Sequence, residues 1–212
     1  MKFFRKVPFW GIGAVLSLLG VFFSGCQENI GGFLGPKDFL KTPSIIDPAK
    51  EYGHLKTDTV VVPATSDIFL AEAKSDVVLE YPEGGLSDWA PDNSPVSVLD
   101  GVIVGGETLD IYATGKARHI PITSLSYGPR GWIDSGIIVK TDAVLEIKPF
   151  EGPIGSLVGL FDNQRIPFII GRHKQIVVPR GARKLYLAML DYPGASSDNA
   201  GSFTVTIEVI RR

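Results

Sequence analysis

Phe203-Thr204-Val205-Thr206-Ile207-Glu208-Val209 sets every second side chain apolar and every other one polar. Successive side chains of a strand point to opposite faces. Period 2 therefore sends Phe203, Val205, Ile207 and Val209 into a core and the residues between them toward water. The alternation recurs upstream, with Leu109, Ile111 and Ala113 set against Asp110, Tyr112 and Thr114. Val144-Leu145-Glu146-Ile147, the run 174–178 that ends at Pro179, and the run 184–190 read as further strands. Turn-forming groups separate them: Gly105-Gly106, Gly128-Pro129-Arg130-Gly131, Glu151-Gly152-Pro153, Pro179-Arg180-Gly181, and the stretch 191–201. No window carries a 3.6-residue period with caps, and the 67–74 stretch has room for one helical turn. The expected fold is all-β, a single jelly-roll-like β-sandwich over residues 58–212 that follows an N-terminal signal or anchor segment.

Composition narrows the function. The 212 residues hold 21 Lys and Arg against 23 Asp and Glu, a net charge of −2, so affinity built on neutralising many phosphates is excluded and no nucleic-acid partner is expected. An apolar fraction of 44% is that of a packed globule rather than a disordered chain. The single cysteine forbids an internal disulfide and a cysteine-rich zinc site. With 24 Gly and 15 Pro the chain is rich in turns, as an all-β protein is.

The first 25 residues read as an address. Lys2, Arg5 and Lys6 precede an uncharged, mostly apolar run from Val7 to Phe23, and Ser24-Gly25 lead into Cys26. The arrangement resembles a bacterial lipoprotein signal peptide with its lipobox, although Phe23 stands where that pattern usually has Leu. An uncleaved membrane anchor is the competing reading, with a run at the short limit for spanning a bilayer. On the lipoprotein reading Cys26 is the lipidated N-terminus, and palmitate-type acyl chains hold the protein to the membrane of a bacterial cell envelope. Residues 26–57 then form the lipidated cysteine and a linker broken by Gly31, Gly32, Gly35, Pro36, Pro43 and Pro48. His54 lies in that stretch and is read as inert.

Chemistry concentrates in 190–203, Leu-Asp-Tyr-Pro-Gly-Ala-Ser-Ser-Asp-Asn-Ala-Gly-Ser-Phe. Asp191 closes one strand, and Asp198 and Asn199 stand just before the next, across what reads as a hairpin-like loop. Two carboxylates and an amide oxygen suit Ca2+, which takes six to eight hard oxygen ligands. The plain alternative is an ordinary Asp/Asn/Gly turn.

Strand, Asp191, Pro193-Gly194, Asp198-Asn199, Gly201-Ser202-Phe203, strand resembles the calcium loop of the galactophilic bacterial lectins, the PA-IL or LecA-like family. Other pieces follow in the same order: 109–115, Ser126-Tyr127-Gly128-Pro129, 155–159, Ile170-Gly171 and 184–187. The resemblance spans roughly 86–210, and only 190–203 is specific. It implies a galactose-binding-like sandwich in which the sugar's hydroxyls complete the calcium shell. By position it implies Asp191, Asp198 and Asn199 as side-chain ligands, and the carbonyls of Ala195 and Tyr127 as backbone ligands. The family's sugar-gripping His and Gln have no counterpart in the short 130–136 loop. Trp132 is the candidate for stacking on a sugar of the galactose type, or is core; Trp89 has the same two readings.

No enzyme signature stands out. Ser156 and Ser202 lack the Gly-x-Ser-x-Gly frame. His119 and His173, next to Arg118, Arg172 and Lys174, read as solvated basic edges rather than bases held by a carboxylate. Phe161-Asp162-Asn163 reads as a turn. Two functions follow: a membrane-tethered, calcium-dependent carbohydrate-binding lipoprotein that is not an enzyme, or a structural or adhesion-type surface lipoprotein that keeps the fold without sugar binding.

Overall fold

The computed structural model describes residues 54–119 and 125–210. The signal segment 1–25, Cys26 and most of the linker lie outside them. Among the described residues no helix is long and apolar enough to cross a membrane. Among the described residues twelve strands follow one another: β1 His54–Pro63, β2 Val78–Glu80, β3 Ser87–Trp89, β4 Val96–Val98, β5 Thr108–Arg118, β6 Ile138–Lys140, β7 Glu151–Pro153, β8 Leu157–Phe161, β9 Phe168–Ile169, β10 His173–Val177, β11 Leu185–Met189 and β12 Ala200–Ile210. β1 begins inside the stretch read as linker.

The strands form a β-sandwich. One sheet has the order β1-β12-β5-β10 and the other β4-β11-β8-β9, with two short accessory pairs, β2-β3 and β6-β7. β12 and β5 run antiparallel along their full lengths, with Ile207 opposite Ile111 and Val205 opposite Ala113. The alternating residues of β12 behave as their period dictates: Phe203, Val205, Ile207 and Val209 are buried, whereas Thr204 is exposed and Glu208 half-buried. Each large apolar side chain so buried contributes about 1.5–3 kcal/mol.

The second sheet departs from the one-face rule. All five residues of β8 and all five of β11 are buried. Their inward set, Leu157, Phe161, Leu185, Leu187 and Met189, meets the first sheet. The outward set, Val158, Leu160, Tyr186 and Ala188, packs under a second apolar layer that includes Ile68, Phe69, Val139 and Ile154. Strands covered on both faces read as continuous apolar runs, and this is why 184–190 carries so little polarity. The cover over it includes the short 3-10 turn Ile68–Leu70, capped by the Asp67 carboxylate at the amide of Phe69 (2.8 Å). That turn is the single helical turn expected in 67–74.

One expected strand is absent. Val144 and Ile147 bond each other's backbone across a tight turn, with Leu145 in the left-handed region at φ 52°. Four residues with local alternation can close on themselves when no long partner strand competes. Phe161-Asp162-Asn163 does turn: the Asp162 carboxylate accepts from the amide of Arg183 (3.0 Å), and the Asn163 amide donates to the carbonyl of Arg180 (2.9 Å).

Candidate functional site

The 190–199 segment leaves β11 in one sheet and enters β12 in the other. It is therefore an arch across the open end of the sandwich, not a hairpin loop. A β-hairpin satisfies its backbone with ladder bonds; an arch must find other partners for buried polar groups. Buried carboxylates supply them. Asp67 accepts from the amide of Gly194 (3.1 Å), and Asp88 accepts from the amide of Ser196 (2.8 Å). Gly194 has φ 78°, and a Cβ there would stand 2.6 Å from the carbonyl oxygen of Leu79, so only glycine lets the arch lie against β2. Burial first, and the charge of Asp88 second, push the Asp67 carboxyl well above the usual carboxylate range.

Asp191 is the hub of this arch. Its side chain is fully buried. Oδ1 accepts from the amide of Tyr192 (2.6 Å) and Oδ2 from the Nδ2 of Asn199 (2.7 Å). The Nε2 of His119, at the end of β5, also lies 2.9 Å from Oδ2. That contact has the distance of an ion pair without the alignment of a hydrogen bond. His119 is buried, as Asp191 is. His173 is held too, with Nε2 2.6 Å from Asp110 Oδ1. Both histidines thus sit on carboxylates, contrary to the reading of solvated basic edges. Their partners lie on strands or loops remote in sequence, and the neighbouring Arg and Lys gave no sign of them.

The remaining ligand candidates gather on the same arch. Ala195 is buried and leads into a 3-10 turn over Ser196–Asp198, and Asn199 closes that turn through its own amide. Five buried oxygens around this segment have no hydrogen-bond partner among the described residues: Asp88 Oδ1, Asp198 Oδ1, Asn199 Oδ1, Ser196 Oγ and the Tyr127 hydroxyl. Burial, and next the charge of Asp191, raise the Asp198 carboxyl. Burial and the same charge raise the Tyr127 phenol. The fit to a hard cation is thus divided. Partnerless oxygens are the donors such an ion takes, yet both oxygens of Asp191 already accept N–H groups. Among the described residues no set of three or more His, Cys, Asp or Glu side chains is grouped as a metal centre.

Tyr127 is bridged to Ala117, whose amide donates to its carbonyl (3.0 Å), so that carbonyl is engaged in the sheet. Trp132 is half-buried and packs against both apolar layers. Its ring stacks on that of Tyr127, with centroids 6.5 Å apart and planes 6° from parallel. The side chain is structural on one side and lines a surface cavity on the other. Trp89 is exposed, its indole N–H donating to the hydroxyl of Ser87 (3.0 Å).

The sequence assigns no site role to Asp67 or Asp88 and places His119 at a solvated edge. Asp67 alone left a signal, an acidic cap before the apolar Ile-Phe-Leu run. No protein-family model matches the chain, and no curated protein does. A solved structure described as "EclA N-terminal domain; PllA-like lectin" is similar at 22% identity and a TM-score of 0.40, over 71% of this chain and 94% of that one.

Proposed function

We propose that the chain is a carbohydrate-binding module whose arch takes up Ca2+, tethered to a bacterial envelope membrane through a lipidated Cys26. The observation that carries the reading is the pair of partnerless oxygens, Asp198 Oδ1 and Asn199 Oδ1, beside buried Asp191. These three residues stand where the resemblance to the PA-IL-like lectins implies side-chain ligands. Asp191, Asp198 and Asn199 would hold the ion, with the carbonyl of Ala195 beside them. Asn199 would serve through Oδ1, and its Nδ2 would leave Asp191. A bound Ca2+ supplies a hard Lewis-acidic centre that accepts the hydroxyl oxygens of a sugar. Trp132 offers an apolar ring nearby for a sugar's C–H face.

The test uses the full chain in non-ionic detergent. After chelation, added Ca2+ should raise the melting temperature, because an ion that binds only the folded arch stabilises it by about 2.7 kcal/mol at one hundred times Kd. Magnesium should substitute poorly, since it demands octahedral geometry and gives up water reluctantly. Asp198→Asn should weaken the shift less than loss of Asp191 does, since an amide oxygen still coordinates. A glycan array read with and without chelator then separates the lectin from an inert surface module. Acyl labelling lost in Cys26→Ala tests the tether. A melting temperature unmoved by millimolar Ca2+ overturns the metal reading.

A further inference from the structure

Two cavities of about 440 Å³ each adjoin on the surface beside Trp132. They share Arg130, Ile133 and Arg172 in their walls and so form one groove. Arg130 comes from the loop after Tyr127 and Arg172 from the turn between β9 and β10. The Arg172 guanidinium reaches across to the opposite loop, where its Nη2 lies 3.8 Å from the position a Cβ on Gly128 would take. The stem of Arg130 lies equally close, 3.8 Å, to the corresponding position on Gly171. Each arginine thus leans over the other's loop.

Neither guanidinium makes an ion pair among the described residues, whereas Arg165 is neutralised by Glu72 and Glu146. Asp134 is the one carboxylate in the groove wall, and it pairs with neither arginine among the described residues. Two like charges on the wall of one groove, neither with an ion-pair partner, repel each other, and an oxyanion between them removes the repulsion. The planar fork of a guanidinium matches a carboxylate or sulfate with two parallel N–H donors. The wall also carries apolar surface, from Trp132, Ile133 and Ile169. A lone inorganic anion makes no use of such a wall, whereas the C–H faces of a sugar ring do.

We propose that this groove binds an acidic saccharide, its carboxylate or sulfate ester clasped between Arg130 and Arg172 and its ring laid against Trp132 and the isoleucines. The proposal rests on the carbohydrate-binding reading and deepens it by naming an acidic class of sugar, with Trp132 common to both.

The experiment presents the full chain, in non-ionic detergent with Ca2+, to an array of saccharide pairs that differ by one acidic group, such as lactose against its sialylated and sulfated forms. Vesicles of phosphatidylglycerol and phosphatidylcholine form a second arm. The acidic member should be retained about tenfold better than its neutral partner, and added salt should erode the preference. Arg130→Gln with Arg172→Gln should bring the pair to within about twofold while neutral glycans bind as before. Both side chains are exposed, so the melting temperature should stay in place, and Arg165→Gln should leave the preference intact. Equal retention of acidic and neutral members overturns the proposal and leaves the lectin reading standing, as does a preference that survives the double variant. Retention on phosphatidylglycerol above phosphatidylcholine that the double variant loses, with no saccharide bound, overturns both, the groove then serving lipid phosphate. No binding to either arm also overturns both.

Discussion

Two carboxylate–histidine pairs stand in different parts of the sandwich, and their surroundings give them different work. Asp191 and His119 are sealed beneath the arch, with side-chain exposures of 0% and 4%. Asp110 and His173 lie on the outer face of the first sheet, and the His173 side chain is 49% exposed. In the outer pair the neighbours share the load: Asp110 also accepts from the Tyr112 hydroxyl and the Gln175 amide, each at 2.9 Å, and the Tyr112 ring stacks on His173 with centroids 4.5 Å apart. Every donor there has water as an alternative. Under the arch none has. The same two residue types therefore fasten an edge strand in one place and decide the shape of a buried loop in the other.

The strongest way to break this contrast is Asp191→Ala. The change strands the Asn199 amide, the backbone N–H of Tyr192 and His119 in an enclosed space. Removing one partner of a buried, hydrogen-bonded pair destabilises by about 3–5 kcal/mol. For a chain of this length that lowers the melting temperature by roughly 10 °C. Any calcium-dependent shift should vanish as well. A thermal melt close to that of the unaltered protein would show that the arch is held by its other carboxylates alone.

Those other carboxylates sharpen the comparison through pH. Asp67 has its folded-state value raised above the ordinary 3.8, so the folded protein keeps a proton that the unfolded chain releases. Stability therefore falls as pH rises from about 4 through the folded value, and that contribution is gone above it. Asp198 is raised also and acts in the same direction. Asp88→Asn removes the neighbouring charge and leaves an oxygen for the Ser196 amide. It should flatten the decline and stabilise the protein more at pH 7.5 than at pH 4. Denaturant titrations between pH 4 and 8 measure both effects. A variant less stable than the parent at pH 7.5 contradicts the repulsion account.

What the sequence discloses of this molecule depends on how local each signal is. Phe203–Val209 and Leu109–Ala113 announce β12 and β5 because pairing partner and core face repeat every second residue. β11 shows itself as a strand but not as one covered on both faces, since the cover over Tyr186 and Ala188 comes from the remote Ile68–Phe69 turn and its neighbours. Val144–Ile147 has the right alternation and lacks the partner, so it turns instead. Asp191, Asp198 and Asn199 could be picked out because one short segment carries all three. His119 and Asp88 belong to the same construction, yet each reaches the arch from another strand or its end, and only the packed sandwich brings them there. The two arginines of the groove are likewise 42 positions apart; Arg130 stands in a turn-forming group and Arg172 beside His173, and neither neighbourhood points to the other.

The gentlest probe is Asp110→Asn on the outer face. Burial raises the Asp110 carboxyl, but the bonds from Gln175, His173 and Tyr112 outweigh it and hold the group below its ordinary value. A depressed carboxylate contributes stability above its unfolded value, near 3.8, and loses it as pH falls through the folded one. The asparagine oxygen can still accept from Tyr112 or Gln175, and its amide can face His173, so most of the geometry survives. With His173 half in water the charge is screened, and the loss at pH 7 should stay under about 1 kcal/mol. At pH 3 the variant and the parent should converge, because the parent's carboxylate is then largely protonated in the unfolded chain and its advantage is shrinking. Denaturant midpoints at pH 3 and 7 measure the difference. A loss at pH 7 as large as that of Asp191→Ala would mean that the edge strand β10 depends on this cluster for its place in the sheet, and that exposure to water does not separate the two pairs.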